Sequence, residues 1–290
     1  DLFDEKMKVK HVFVDGRPLV DGAIPSGDGF TLRPLAEALS QGGVDLEPLL
    51  GRLAPAEEGF FTALNAAFLG DGVLVQVAPD RAPDRPIHLV FASLPGDPAP
   101  RVHPRVILLL GRGARAVVVE EYISLGEGPA FTNPVTEVDL GDDAALEHVR
   151  LLRENEQTFH LGGIAVRQGR DSRYTGHSIS LGGRLVRQDI GAVLDGAGAE
   201  CSLNGLYLVA GRQHVDHHTR IDHAAPHTTS RELYKGVLDG KASGVFNGLV
   251  LIREGVGKID AAQTNNNLLL SGEALVNTNP ELEIFADDVK

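Results

Sequence analysis

Gly111-Arg-Gly-Ala114, Gly141-Asp-Asp-Ala144, Gly169-Arg-Asp-Ser172 and Gly196-Ala-Gly-Ala199 share one form: a glycine, two residues, then a small residue opening an apolar run. Their first glycines lie 30, 28 and 27 residues apart. A near-constant period of this size is the signature of a stacked solenoid, in which no coil can bury its apolar face alone. Later turns at Asp239-Gly-Lys-Ala242, Glu254-Gly-Val-Gly257 and Ser271-Gly-Glu-Ala274 fall near half that period. Leu203-Asn-Gly-Leu-Tyr-Leu-Val209 also matches Phe246-Asn-Gly-Leu-Val-Leu-Ile252 closely.

From Val106 to Lys290 the segments between these turns are short, β-branched and apolar, with no helical 3.6-residue period. A β-sandwich is the competing architecture, but the Asn-Gly and Asp-Gly hairpin turns it needs are scarce. No strict six-residue period supports a left-handed hexapeptide helix. Residues 1–105 read as a mixed α/β region leading into the solenoid, and 106–290 as its core. Within the first region, His11–Val14 and Pro18–Val20 suggest a strand pair. Leu32, Leu35, Ala36 and Leu39 follow a helical spacing that ends at Gly42-Gly43. Phe60–Leu69 reads as a second helix with Phe60, Leu64, Ala67 and Phe68 on one side. Leu203, Leu206, Leu208, Phe246, Leu249 and Leu251 are expected in the interior.

Composition narrows the function. The 290 residues include 42% hydrophobic side chains, 34 glycines and a net charge of −13, with no Trp. That charge argues against a general nucleic-acid binder. The single cysteine, Cys201, excludes an intrachain disulfide, and no Asn-x-Ser/Thr site occurs; both fit the cytoplasm. No apolar stretch reaches membrane-spanning length, and the first ten residues lack a signal-peptide core.

Three constellations bear on chemistry. Gly111-Arg-Gly-Ala-Arg-Ala116 matches a dinucleotide fingerprint, but Val117, Val118 and Val119 continue a strand where a helix would be needed. Five of the eleven histidines lie in Gln213–His227, with Asp216 and Asp222 among them. His217, His218 and His223 are candidate metal ligands. Alternation along a strand, however, puts His217 and His223 on one face and His214 and His218 on the other. The preferred reading is a structural polar ladder that binds no metal. Cys201 has no activating base or partner at motif spacing and reads as a small hydrophobe. Asn265–Asn267, Asn277 and Asn279 read as turn residues.

Several segments resemble the SufB/SufD family of the SUF iron–sulfur assembly system. They are Phe60-Phe-Thr-Ala-Leu-Asn-Ala-Ala-Phe68, Asn204-Gly-Leu-Tyr-Leu208, His214-Val-Asp-His-His-Thr219, Ser230-Arg-Glu-Leu-Tyr-Lys235, Gly244-Val-Phe-Asn-Gly248, Gln263-Thr-Asn-Asn-Asn-Leu-Leu-Leu-Ser271 and Leu282-Glu-Ile-Phe-Ala-Asp-Asp-Val-Lys290. The first three are more similar to SufD than to SufB. The resemblance implies a right-handed parallel β-helix that is a scaffold rather than an enzyme. It also implies partnership with a SufB-like paralogue and a SufC-type ABC ATPase, with support for iron entry. A nascent iron–sulfur cluster forms on the full complex, and no cofactor is stably held by the subunit alone. Leu282, Ile284, Phe285, Asp287 and Lys290 are then expected at the interface with the paralogue, or in a homodimer without it. The family continues from Asp-Asp-Val-Lys into a Cys/His-containing segment and a helical ATPase-binding region. The family's N-terminal helical region also looks shortened here. No catalytic role is therefore carried onto these residues, and a trimmed chain is expected. The competing functions are a carbohydrate-active β-helix enzyme and a small His-cluster metalloprotein.

Overall fold

A computed structural model describes residues 9–19, 29–41, 49–70 and 72–289. Val20, Gly42, Gly43 and Lys290, named above at a strand end, a helix end and an interface, lie outside the described residues. The chain winds into a parallel β-solenoid of about 7 turns. From Gly72–Val77 onward the long strands alternate between two sheets, so that each coil gives one strand to each. Thus Arg173–Ser180, Glu200–Val209, Thr229–Leu238 and Asp260–Leu269 stack in one sheet. Leu185–Leu194, His214–His223, Ser243–Ile252 and Leu275–Ile284 stack in the other.

Parallel ladders join these strands, which rules out the hairpins of a sandwich. The ladders begin upstream of Val106: Gly72–Val77 pairs with Arg105–Leu110, and Ile87–Ser93 with Arg115–Ser124. Val9–Val14 extends the second sheet in parallel, while Phe30–Pro34 adds an antiparallel edge to the first.

The repeated turns owe their form to stacking. Their third residues, Gly113, Asp143, Asp171 and Gly198, take φ values of 67°, 59°, 52° and 76°. Each of these N–H groups donates to the second-position carbonyl of the next turn: Gly113 to Asp142, Asp143 to Arg170, Asp171 to Ala197 and Gly198 to Pro226. The series continues with His227 to Gly257 and Lys258 to Asp288, at φ 61° and 59°. The fourth residues, Ala114, Ala144, Ser172, Ala199, Thr228 and Ile259, are buried at the corner. Gly111-Arg-Gly-Ala114 is one of these turns, and a strand follows it as the valines required.

Strict alternation corrects the expected interior. Leu203 and Phe246 face inward, but Leu206 is 36% and Leu208 43% exposed. Leu249 and Leu251 are only partly covered, on the outer face with Asn247. Leu203 and Leu206 differ by three positions and cannot share a strand face. The inward residues are instead Cys201, Leu203, Tyr207 and Val209 in one strand and Phe246, Val250 and Ile252 in another. Large rings are accommodated by glycines in adjacent coils. A Cβ on Gly205 would lie 2.0 Å from the Tyr234 ring, and one on Gly236 would lie 2.1 Å from Tyr207.

The N-terminal segments dock on the outer face of one sheet. Leu32 belongs to the strand Phe30–Pro34 rather than to a helix, and the helix that follows is short, Leu35–Gln41. The second helix spans Phe60–Ala67, yet Phe60 and Phe68 are exposed and Asn65 is its one buried residue. Its buried contact is polar: Asn65 Nδ2 donates to the carbonyls of Pro104 (3.0 Å) and Asn133 (2.8 Å). Asn65 Oδ1 accepts from Arg105, whose guanidinium pairs with buried Glu137 at 2.6 Å.

Two stability outcomes follow from this geometry. Phe246→Ala is expected to cost about 3–5 kcal/mol in denaturant unfolding, and Leu208→Ala less than about 1 kcal/mol. A Cβ at Gly196 would sit 2.1 Å from Arg170 N in the preceding turn. Gly196→Ala should therefore destabilise by roughly 1–3 kcal/mol, measured in the same way.

Candidate functional site in the solenoid interior and at its open end

The histidine-rich strand His214–His223 shows which candidates can converge. His217 and His223 point inward and are buried, whereas His218 is on the outer face with Asp216, 2.9 Å away. His223 is held by Thr228 (2.7 Å) and Ser230 (2.9 Å), so both ring nitrogens have hydroxyl partners. His217 sits between the Tyr207 and Tyr234 rings, with centroids 5.6 and 5.3 Å away. Neither of its nitrogens has a protein partner. Among the described residues no three His, Cys, Asp or Glu side chains gather in metal-binding geometry. His227 is a turn residue with its N–H on Gly257. Its role was missed because the turn Ala225-Pro-His-Thr228 lacks the leading glycine.

Below this level the interior carries an ionic network that the pattern reading did not find. Glu120 accepts from Arg150 (2.9 Å), Tyr122 (2.8 Å), Thr136 (2.8 Å) and pairs with His148 at 2.9 Å. Burial alone would raise its carboxyl, but Arg150 and His148 hold it well below the usual carboxylate range. Its only signal in sequence was a charged residue at an inward position of an apolar strand. Higher up, burial raises Glu232, offset in part by the Gln263 amide that donates to it. Burial, with Glu232 nearby, pushes the Cys201 thiol upward, which leaves it protonated and unreactive.

The last coil is uncovered. Asp260–Leu269 and Leu275–Ile284 are the terminal strands of their sheets, each paired on one side only. The asparagines read as turn residues lie in these strands. Asn267 accepts from the Tyr207 hydroxyl and donates to Asn265, so these inward positions are polar where no further coil covers them. Leu282, Ile284 and Phe285 are 59%, 44% and 62% exposed, and Asp287 is exposed. On the outer face of the adjoining sheet is a groove of about 610 Å³. Pro55 and Thr62 line one side, and Gly191, Arg220, Leu249 and Glu281 line the rest.

Burial lowers His217 and His223 to about 4 from the ordinary 6.5, with His218 adding to the effect at His217 and Asp222 opposing it at His223. The unfolded chain takes up these protons first, so their contribution is intact above pH 6.5 and is lost as pH falls towards 4. For fully buried His217 this amounts to on the order of 3 kcal/mol. Glu232, raised in the folded chain, has the opposite sign, contributing below 4.5 and losing that contribution as pH rises through its folded value. Unfolding midpoints measured from pH 7 to 5 are expected to fall, and His217→Phe to flatten the slope.

Comparison with known proteins gives the family. The family model described as SUF system FeS cluster assembly, SufBD core domain, matches residues 94–290. An iron–sulfur cluster assembly SufBD family protein of Synechocystis is 34% identical over 239 residues, covering 79% of this chain and 52% of the relative. The iron–sulfur cluster assembly protein SufD of Escherichia coli is 32% identical over 218 residues, covering 74% and 52%. The SufD of Bacillus subtilis is 27% identical over 236 residues, covering 80% and 53%. The chain thus spans about half the length of the curated relatives it matches. No helix among its described residues is long and apolar enough to cross a membrane. With its stacked coils matched along most of their length, the chain belongs to the SufB/SufD family and is SufD-like.

Proposed function

We propose that this chain is the solenoid core of a SufD-type scaffold subunit in cytoplasmic iron–sulfur cluster assembly. It carries no catalytic residues. It pairs with a SufB-like paralogue through its last coil, and the pair engages a SufC-type ABC ATPase. The nascent cluster is cargo of the full assembly rather than a resident cofactor. The supporting observation is the uncovered coil itself. Two unpaired strand edges with Leu282, Ile284 and Phe285 exposed invite a strand-to-strand partner. The SufD relatives are named as iron–sulfur cluster assembly proteins, which supports that system as the setting. A carbohydrate-active enzyme or a His-cluster metalloprotein has less support, because His218 is separated from His217 and His223 by the sheet.

Co-expression with a SufB-like paralogue and the ATPase should yield a ternary complex on affinity purification. Ile284→Asp should weaken binding to the paralogue at least about tenfold, through loss of apolar contact and burial of an unpaired charge. Far-UV circular dichroism is expected to stay unchanged. Without the paralogue, sedimentation should show a homodimer that the same substitution reduces to monomer.

A further inference from the structure

Tyr234 extends down the lumen rather than across its own coil. Its ring occupies the space above Gly205, where a Cβ would lie 2.0 Å from it. Its hydroxyl end reaches a small enclosed cavity shared with Tyr174, Ser178 and His148, which belong to coils further down. The Tyr234 hydroxyl is fully buried beside the Ser178 side chain, without a hydrogen bond of good geometry to any protein atom.

Proton counting defines what the cavity presents. Glu120 already accepts from Arg150, Tyr122 and Thr136, and ionised it can only accept from His148 Nε2, 2.9 Å away. In a neutral imidazole, Nδ1 is then an acceptor. It takes the only proton of the Tyr174 hydroxyl, 3.0 Å away, leaving a Tyr174 lone pair for the cavity. In an imidazolium, Nδ1 donates instead, and the Tyr174 proton is left for the cavity. In both cases two tyrosine hydroxyls, each with unused hydrogen-bonding capacity, face the same enclosed space. A buried hydroxyl without a partner costs about 1–3 kcal/mol. The cavity, about 10 Å³ by the space open to a water centre, fits one water and nothing larger.

We propose that this cavity is a specific site for a single buried water, bonded to the Tyr234 and Tyr174 hydroxyls. The water joins the strand Thr229–Leu238 to the ionic network on Arg115–Ser124, which lies lower in the same sheet. The inward polar groups thereby act as one hydrogen-bonded column across several coils, not as isolated pairs.

A high-resolution crystal structure of the chain tests this. It should show one ordered water within about 2.6–3.0 Å of both hydroxyl oxygens. Tyr234→Phe removes one oxygen atom and should abolish that water while leaving the Tyr174–His148 contact in place. In solution, NMR magnetisation transfer from water to the Tyr174 and Tyr234 ring protons should be present in the wild type and lost in Tyr234→Phe. Direct bonding of Tyr234 to Ser178 or Tyr174 with no water peak would overturn the proposal. So would a peak and a transfer signal unchanged in Tyr234→Phe.

Discussion

The fold depends on a hydrogen bond between turns. In each coil the third turn residue adopts positive φ, which aims its N–H at the next turn's second carbonyl. In a parallel sheet the strands alone leave the corners unsatisfied, and buried backbone groups without partners are costly. The turn series from Gly113 to Lys258 satisfies those corners with one contact per coil. It also fixes the height of each coil over the last, and this locks the register of both sheets. Four carriers of positive φ in the series, Asp143, Asp171, His227 and Lys258, are not glycine; aspartate tolerates that region better than most other side chains.

Once register is locked, every inward side chain stands directly above another. This explains both the aromatic–glycine interleaving and the polar interior. Tyr207 and Tyr234 would collide if the positions above and below them were not Gly236 and Gly205. Stacking also brings carboxylate, guanidinium and imidazole from successive coils within bonding distance, as with Glu120, Arg150 and His148. Buried ion pairs of this kind contribute little net stability but penalise any slip in register, because a one-residue shift would strand the charges.

The repeat was legible because its turns carry glycine and a small fourth residue, both demanded by close approach of backbone to backbone. It ceased to be legible where the contact could be made by other residues. Ala225-Pro-His-Thr228 and Val256-Gly-Lys-Ile259 form the same turn without the glycine lead, so His227 looked like part of a ligand cluster. The faces of the leucine-rich strands were misjudged for a different reason. Leu206, Leu208, Leu249 and Leu251 are apolar but outward, and hydrophobicity alone does not reveal parity in a strand apolar on both sides. The histidine faces were read correctly because alternation, not composition, was the argument. The Glu120 network and the Asn65 anchor were not visible, since each is assembled from residues on different coils or elements.

The open end follows from the same constraint. A coil in mid-stack has its inward residues capped from above, so they can be wholly apolar. At Asp260–Leu269 the corresponding positions are Ala261, Gln263, Asn265, Asn267 and Leu269, three of them amides. Amides there bond downward, Asn267 to Tyr207 and Gln263 to Glu232, and still leave polar atoms for whatever lies above. The other strand differs, with Leu282 and Ile284 set over Val250 and Ile252. The Asp260–Leu269 half thus has amides at its inward positions, whereas the Leu275–Ile284 half ends in two apolar ones. The inward face of this coil therefore changes from amide to apolar across the lumen, because only the first strand has polar groups of the coils below to bond.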